Sequence, residues 1–284
     1  MNEAAKKLFV SQPNLSATVR EVEEELGITV FMRNNRGITV TAEGEEFLGY
    51  AKQVVEQYHL LENRYLNVES KKKFSVSMQH YSFAVKAFVQ LAKEVGMDEY
   101  EFAVHETKTK EVIDNVKNLK SEIGVLYLSD FNEKVLRKLF KECDIEFKEL
   151  FTCNTYVYLW KKHPLAGQKE ITLDDLQEYP CLTFEQGVNN SFYYAEEMMS
   201  TYEYKRVIKA DDRATMLNLM VGLNGFTLCS GIISEDLNGD DYAAIPLKES
   251  EKMHIGYIKH KGTKLSKLGE IYIDALKNYE NKVL

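Results

Sequence analysis

The densest chemistry in the sequence lies near its N-terminus. Ser11-Gln12-Pro13-Asn14 is followed, on one helical face, by Ala17 and Arg20, with Ser16 and Thr18 beside them. The amides of Gln12 and Asn14 each pair a donor with an acceptor, the match for an adenine edge, while Pro13 and Ala17 offer apolar surface for a thymine methyl. Ser11 and the free N–H groups of a helix start can hold a phosphate. Arg33 and Arg36 bracket Asn34-Asn35, a turn signal, where guanidinium groups would clamp phosphates or probe a minor groove. Glu21, Glu23, Glu24 and Glu25 crowd the far end of the same helix. A helix of this polarity meets a polyanion by its N-terminal half.

A second group of polar residues sits where strands are expected to end. Gln79-His80-Tyr81-Ser82 follows one strand and opens a helix, a natural anion seat. Ser129-Asp130 ends another strand, Phe184-Glu185-Gln186-Gly187 a third, and Ser230-Gly231 a fourth; Arg213 is placed to neutralise a carboxylate. Open α/β sheets bind ligands at such strand ends, so these residues are candidates for a small, anionic ligand held in a cleft.

Catalytic signatures are absent. The sequence has no P-loop, no G-x-G-x-x-G after a strand, no G-x-S-x-G and no H-E-x-x-H. Neither the six histidines nor Cys143, Cys153, Cys181 and Cys229 show metal-ligand spacing, and the cysteines read as buried reduced thiols of a cytoplasmic protein. No cofactor or metal is expected. No run of ~18 apolar residues could cross a membrane, and the N-terminus lacks a secretory apolar stretch.

Several elements must position these groups. Ala4, Ala5 and Leu8 have helical spacing; Ser11 is a good N-cap with Pro13 in the first turn; Leu15, Val19, Val22 and Leu26 form one inward stripe; Gly27 stops the helix. Short β-prone pieces, Ile28 to Phe31 and Ile38 to Thr41, follow as a hairpin. Phe47, Ala51, Val54, Tyr58, Leu61, Tyr65 and Val68 then recur at alternating steps of four and three, the heptad period of a helix that pairs with a second chain. Lys71-Lys72-Lys73 reads as a hinge. Beyond it strands and helices alternate, which predicts a parallel sheet covered by helices, in two similar halves. In the second half a short capped helix is expected at Thr172 to Leu176 and another helix from Asn190 to Ser200. The chain has 284 residues and a formal charge of −8. Residues 1–41 balance five bases against five acids, so the rest carries the whole excess. A neutral head on an acidic body suggests two parts with different partners.

The head reads as a winged helix-turn-helix. Ala4 to Ser16, Val19 to Gly27 and the wing Val30-Phe31-Met32-Arg33-Asn34-Asn35-Arg36-Gly37-Ile38-Thr39-Val40-Thr41-Ala42-Glu43-Gly44 closely resemble the LysR-type transcriptional regulators, with His163-Pro164-Leu165 a weaker echo. The resemblance implies an α/β chain with a DNA-binding head (1–41), a linker and dimerisation helix with its hinge (42–73), and a two-lobed, periplasmic-binding-protein-like effector domain (74–284; lobe I 74–151 and 253–284, lobe II 152–252). It also implies one more helix ahead of Ala4, where only Met1-Asn2-Glu3 stand; either the start lies upstream or the head is a shortened form. Ala17 occupies a position where the family often places a long basic or polar side chain. The implied partners are double-stranded DNA, a small effector, RNA polymerase and a second copy of the chain in a homodimer or tetramer. The alternatives are a stand-alone sensor with an incomplete head acting through protein partners and, more remotely, an enzyme on the two-lobed fold.

Overall fold

The computed structural model describes residues 2–34, 37–65, 71–96, 99–189 and 191–279, which divide into two compact units, residues 1–70 and 71–284. In the first unit, α1 (Asn2–Lys7) leads into α2 (Gln12–Leu26). Ser11 caps α2 by accepting the Asn14 N–H at 3.3 Å, and Gly27, left-handed at φ 68°, ends it. The hairpin β1 (Phe31–Asn34) and β2 (Gly37–Val40) forms the wing, with Phe31 opposite Val40, and α3 (Ala42–Tyr65) runs on from it. Thr41 joins wing to helix: its N–H donates to Val30 O at 3.0 Å and its Oγ1 accepts the Gly44 N–H at 2.8 Å.

The inward stripe of α2 is corrected in part. Leu15, Val19 and Val22 are half-buried, but Leu26 is 52% exposed, and no residue of α2 is fully buried. Ala5 and Val30 are the buried apolar side chains among this unit's described residues. An open apolar groove of about 280 Å³ lies between α2, the wing and α3, lined by Val19, Val22, Val30, Phe31, Phe47 and Leu48.

The second unit carries two lobes. The first is a five-stranded sheet in the order β4-β3-β5-β12-β6, with β3 (Lys72–Met78), β4 (Tyr100–Glu106), β5 (Ile123–Leu128), β6 (Ile145–Cys153) and β12 (Met253–His260). Helices α4 (Ser82–Val95) and α9 (Lys267–Lys277) cover one face through Phe83, Ala87, Leu91, Tyr272 and Leu276. On the other face, α5 (Thr109–Lys117) and α6 (Glu133–Glu142) bury Val112, Ile113, Leu136 and Phe140. The second lobe holds β7 (Tyr156–Trp160) between β10 (Thr227–Cys229) and β11 (Tyr242–Pro246), a parallel pair β8 (Cys181–Phe184) and β9 (Val207–Ala210), and the helices α7 (Arg213–Leu223) and α8 (Glu235–Asn238). A turn locked by His163 follows β7: its Nδ1 accepts the Leu165 N–H and its Nε2 contacts Asn224 O, both at 3.0 Å.

The first sheet is mixed, not parallel. The strands β3, β4 and β5 are mutually parallel, but β12 runs antiparallel to both β5 and β6. The chain leaves for the second lobe at the end of β6 and re-enters the sheet at that same end, Met253 pairing with Cys153, so the returning strand must run the other way. The helix expected at Asn190–Ser200 is also replaced, by a single 3₁₀ turn at Phe192–Tyr194 and irregular chain. Its carbonyls are claimed from the first lobe: Thr109 Oγ1 donates to Tyr194 O at 2.8 Å, and the Tyr127 hydroxyl to Ala195 O at 3.0 Å. The short helix expected at Thr172 is a 3₁₀ turn at Asp175–Glu178, and the Asp175 N–H donates to Thr172 Oγ1 at 3.2 Å. Neither α8 nor β11 stood out in the sequence. Among the described residues no helix is long and apolar enough to cross a membrane.

Candidate functional site

On the head, Ser11, Pro13, Asn14, Ala17 and Arg20 are exposed along α2. Gln12 and Ser16 are half-buried and bonded to each other, Gln12 Nε2 donating to Ser16 Oγ at 2.7 Å. Thr18, one helical turn on from Asn14, is exposed at the edge of the apolar groove, and its hydroxyl donates back to Asn14 O at 3.2 Å. Arg33 is described by its backbone on β1 alone, and Arg36 lies outside the described residues. Glu23, which reads in sequence as one more exposed acid, anchors the wing: its Oε1 accepts the N–H groups of Val30 at 2.7 Å and Phe31 at 2.9 Å.

On α3 the heptad stripe turns outward. Phe47 and Ala51 are half-buried, whereas Val54, Tyr58 and Leu61 are each more than half exposed. Tyr65 is described by its backbone alone, and Val68 lies outside the described residues.

In the second unit the lobes enclose a cavity of about 90 Å³, space for a molecule of several heavy atoms. The loop after β3 supplies His80, Tyr81 and Ser82, the last at the start of α4; the second lobe supplies Phe184, Arg213 and Ser230. The other expected ligand residues face elsewhere. Gln79 is fully buried, donating to Thr109 Oγ1 and accepting from Tyr127 N–H and the Tyr81 hydroxyl, so it holds the loop. Ser129 is a capped strand end, its N–H held by Asn132 Oδ1 at 2.8 Å, while Asp130 and Glu185 point to solvent. Gln186 ties the lobes from behind, accepting the Thr109 N–H and donating to Glu196 Oε1 at 2.9 Å. Gly231 is left-handed at φ 76°, and a Cβ there would strike the Tyr156 ring at 2.5 Å.

The residues the sequence reading missed are Glu196 and Glu197. Both are buried and both line the cavity. The Glu196 Oε2 accepts the backbone N–H of His80 at 2.9 Å and meets its Nδ1 at 2.8 Å, while the His80 ring stacks on Phe184 with centroids 3.7 Å apart. The Glu197 Oε1 accepts the Phe184 N–H at 2.8 Å. Burial, and the charge of Glu196 beside it, push its pKa up to about 8. The available signal was an acid pair set among Tyr193, Tyr194, Met198 and Met199. Arg213, the expected counter-charge for an anionic ligand, is already paired with Glu106 of the first lobe. The cavity therefore offers an anion no unpaired cation among the described residues. Burial also pushes the thiols of Cys153 and Cys229 up to about 12, which keeps them protonated and poor as nucleophiles. Among the described residues no group of three or more His, Cys, Asp or Glu could hold a metal.

Comparison with known proteins fits both units. A family model described as "Bacterial regulatory helix-turn-helix protein, lysR family" matches residues 1–45, and one described as "LysR substrate binding domain" matches residues 97–280. The HTH-type transcriptional regulator CysL of Bacillus subtilis (strain 168) is 26% identical, covering 99% of this chain and 93% of its own length. A full-length OxyR from Pseudomonas aeruginosa superposes with a TM-score of 0.68 at 18% identity, covering 97% of this chain and 89% of that one. The effector-binding domain of QuiR, solved in complex with shikimate, matches with a TM-score of 0.50 at 18% identity, covering 75% of this chain and 99% of that domain.

Proposed function

This chain belongs to the LysR family of bacterial transcriptional regulators, and from that premise we propose how its parts divide the work. It is a DNA-binding regulator with an effector-binding domain. Its α2 enters the major groove by its N-terminal half, where Asn14, with Gln12 behind it, reads a base edge and Pro13 and Ala17 pack on methyl groups. Arg20 and the wing arginines Arg33 and Arg36 hold phosphates, which set register and not sequence. Two copies pair along the Val54, Tyr58 and Leu61 stripe of α3, in a dimer or tetramer, so that two heads reach half-sites about one helical turn apart or a multiple of it. The effector sits in the cavity between the lobes, touching His80 and Ser82 on one side and Glu197, Thr227 and Ser230 on the other. The protein works in the cytoplasm and acts on promoter DNA alongside RNA polymerase, with no covalent chemistry of its own.

The observation that carries this reading is the two-sided cavity, bridged by His80–Glu196 and Arg213–Glu106, on a chain whose head also pairs the two strands of a wing. A match to the regulator head over residues 1–45 disfavours a sensor that has given up DNA. The test is binding of the full chain to duplex fragments from upstream of its own gene. Sequence-specific retardation that weakens steeply with salt is expected; equal retardation of a scrambled duplex overturns the reading.

A further inference from the structure

The lining of the interlobe cavity specifies the charge of its occupant. Glu197 is 5% exposed, and its carboxyl is held by backbone amides alone, that of Phe184 at 2.8 Å and those of Glu196 and Glu197. No cation among the described residues answers it. Glu196 beside it is engaged by His80 and Gln186, Arg213 is engaged by Glu106, and Asp212 is spent capping α7 through Thr215. A second, independent feature is the Thr227 hydroxyl. Thr227 is 7% exposed and lines the same cavity, yet its Oγ1 has no hydrogen-bond partner. A buried hydroxyl left unpaired inside a protein costs stability unless a ligand completes it. The remaining walls include Phe83, Tyr158 and Phe184, rings whose faces attract a cation and repel an anion.

Resting on the reading of this cavity as the effector site, we infer that the effector presents an ammonium or similar donor-rich cationic group, which Glu197 receives as a carboxylate and the Thr227 oxygen completes as an acceptor. Glu197 holds its proton at neutral pH, because burial and Glu196 raise its pKa to about 8. Docking of a cation therefore releases that proton to solvent: the neutral carboxyl and the ammonium become a carboxylate–ammonium pair and one free proton. An anion placed here would instead confront two carboxyl groups with every nearby cation already engaged. Specificity thus arises from the charge the cavity rejects as well as from the one it accepts.

The test compares three probes of one shape, butylammonium, butanol and butyrate, by titration calorimetry on the full chain at pH 7, in buffers of different ionisation enthalpy. Butylammonium is expected to bind about tenfold or more tightly than either other probe, with release of about one proton. Glu197→Gln should abolish both the preference and the release, and Thr227→Val should weaken the amine several-fold while the release persists. Should Glu197→Gln fail to fold, proton release by the unaltered chain decides the matter. Tightest binding by butyrate, or amine binding with no proton released, overturns the inference and leaves the cavity as a ligand site. No binding by any of the three, or binding indifferent to a cavity-filling Thr227→Phe, overturns the cavity reading as well.

Discussion

Replacing Glu197 by Gln should alter the pH dependence of stability. In the fold this carboxyl keeps its proton up to about pH 8; an ordinary glutamate loses it near 4.5. Between those values the unfolded chain binds fewer protons than the native one, so stability falls as pH rises. The carboxyl's contribution is complete below about pH 4.5, declines across the window and is gone above about pH 8. At about 1.4 kcal/mol per pH unit, the whole window is worth at most about 5 kcal/mol. Glutamine has nearly the same shape and no proton to lose, so its own contribution is flat. Ionisable groups that do not interact with Glu197 are common to both proteins and drop out of the difference, whereas the interaction with Glu196 is part of it. Trp160, the single tryptophan, donates from Nε1 to Asn224 Oδ1 at 2.9 Å within the second lobe, so its fluorescence during urea unfolding reports on this unit. The variant should gain on the unaltered protein steadily from pH 5 to pH 8, by a few kcal/mol in total, and be the more stable of the two at pH 8. A difference constant across that range would refute the placement of Glu197 as a buried, uncompensated carboxyl.

Gly44→Ala would set a Cβ 2.3 Å from Val30 O and 2.9 Å from Val30 Cα, both backbone atoms, so α3 must shift off the wing; thermal unfolding should show the head destabilised by about 1–3 kcal/mol with the second unit unchanged. Glu23→Ala strands the amides of Val30 and Phe31 and should cost the head a similar amount, about 1–3 kcal/mol, together with DNA affinity, whereas Glu24→Ala, removing an exposed acid, should be silent in both assays. Val54→Glu with Leu61→Glu should yield monomers in light scattering, and a persistent dimer would place the interface away from α3. Arg36→Ala should lower the slope of log affinity against log salt by about one, since one phosphate contact is lost; an unchanged slope would remove this arginine from the interface.

What could be read from sequence alone followed how local the cause was. The strands at Ile123–Leu128, Tyr156–Trp160 and Cys181–Phe184 were legible to the residue, because each is a short apolar run bounded by turn formers. The Ser11 cap and the Gly27 stop of α2 were equally local. The direction of β12 was not, since it depends on the chain having travelled through a second lobe. The lost helix at 190–200 depended on Thr109 and Tyr127, which lie far off in sequence and take its carbonyls. The loops expected at strand ends do supply lining to the cavity, but half of the side chains expected on them are not among its walls. A loop at a strand end is placed by topology, but which residues turn inward is set by packing: His80 faces the cavity while Gln79 is held in the core. Glu196 and Glu197 were hidden by the rule that adjacent acids form a solvated face, a rule that fails where the neighbours are aromatic rings and methionines.

The same contacts that define the cavity hold the lobes together, and this links ligand chemistry to geometry. From the first lobe, His80, Glu106, Lys108 and Lys86 reach Glu196, Arg213, Asp211 and Asp236 of the second. The pairs made by Lys86 and Lys108 involve exposed partners and are worth about 0–1 kcal/mol each. The His80–Glu196 pair is buried, so separating the lobes exchanges its short contacts for water at both partners at once. A ligand biases such an equilibrium only by binding one arrangement better than the other. A cation resting on Glu197 and Thr227 meets that condition if its other end reaches Ser82 or the His80 ring, because those groups converge only while the lobes are together. A ligand that touched Glu197 and Thr227 alone would bind open and closed lobes equally and shift nothing, however tightly it was held. Regulation therefore requires an effector long enough to span both walls as well as positive enough to engage one of them.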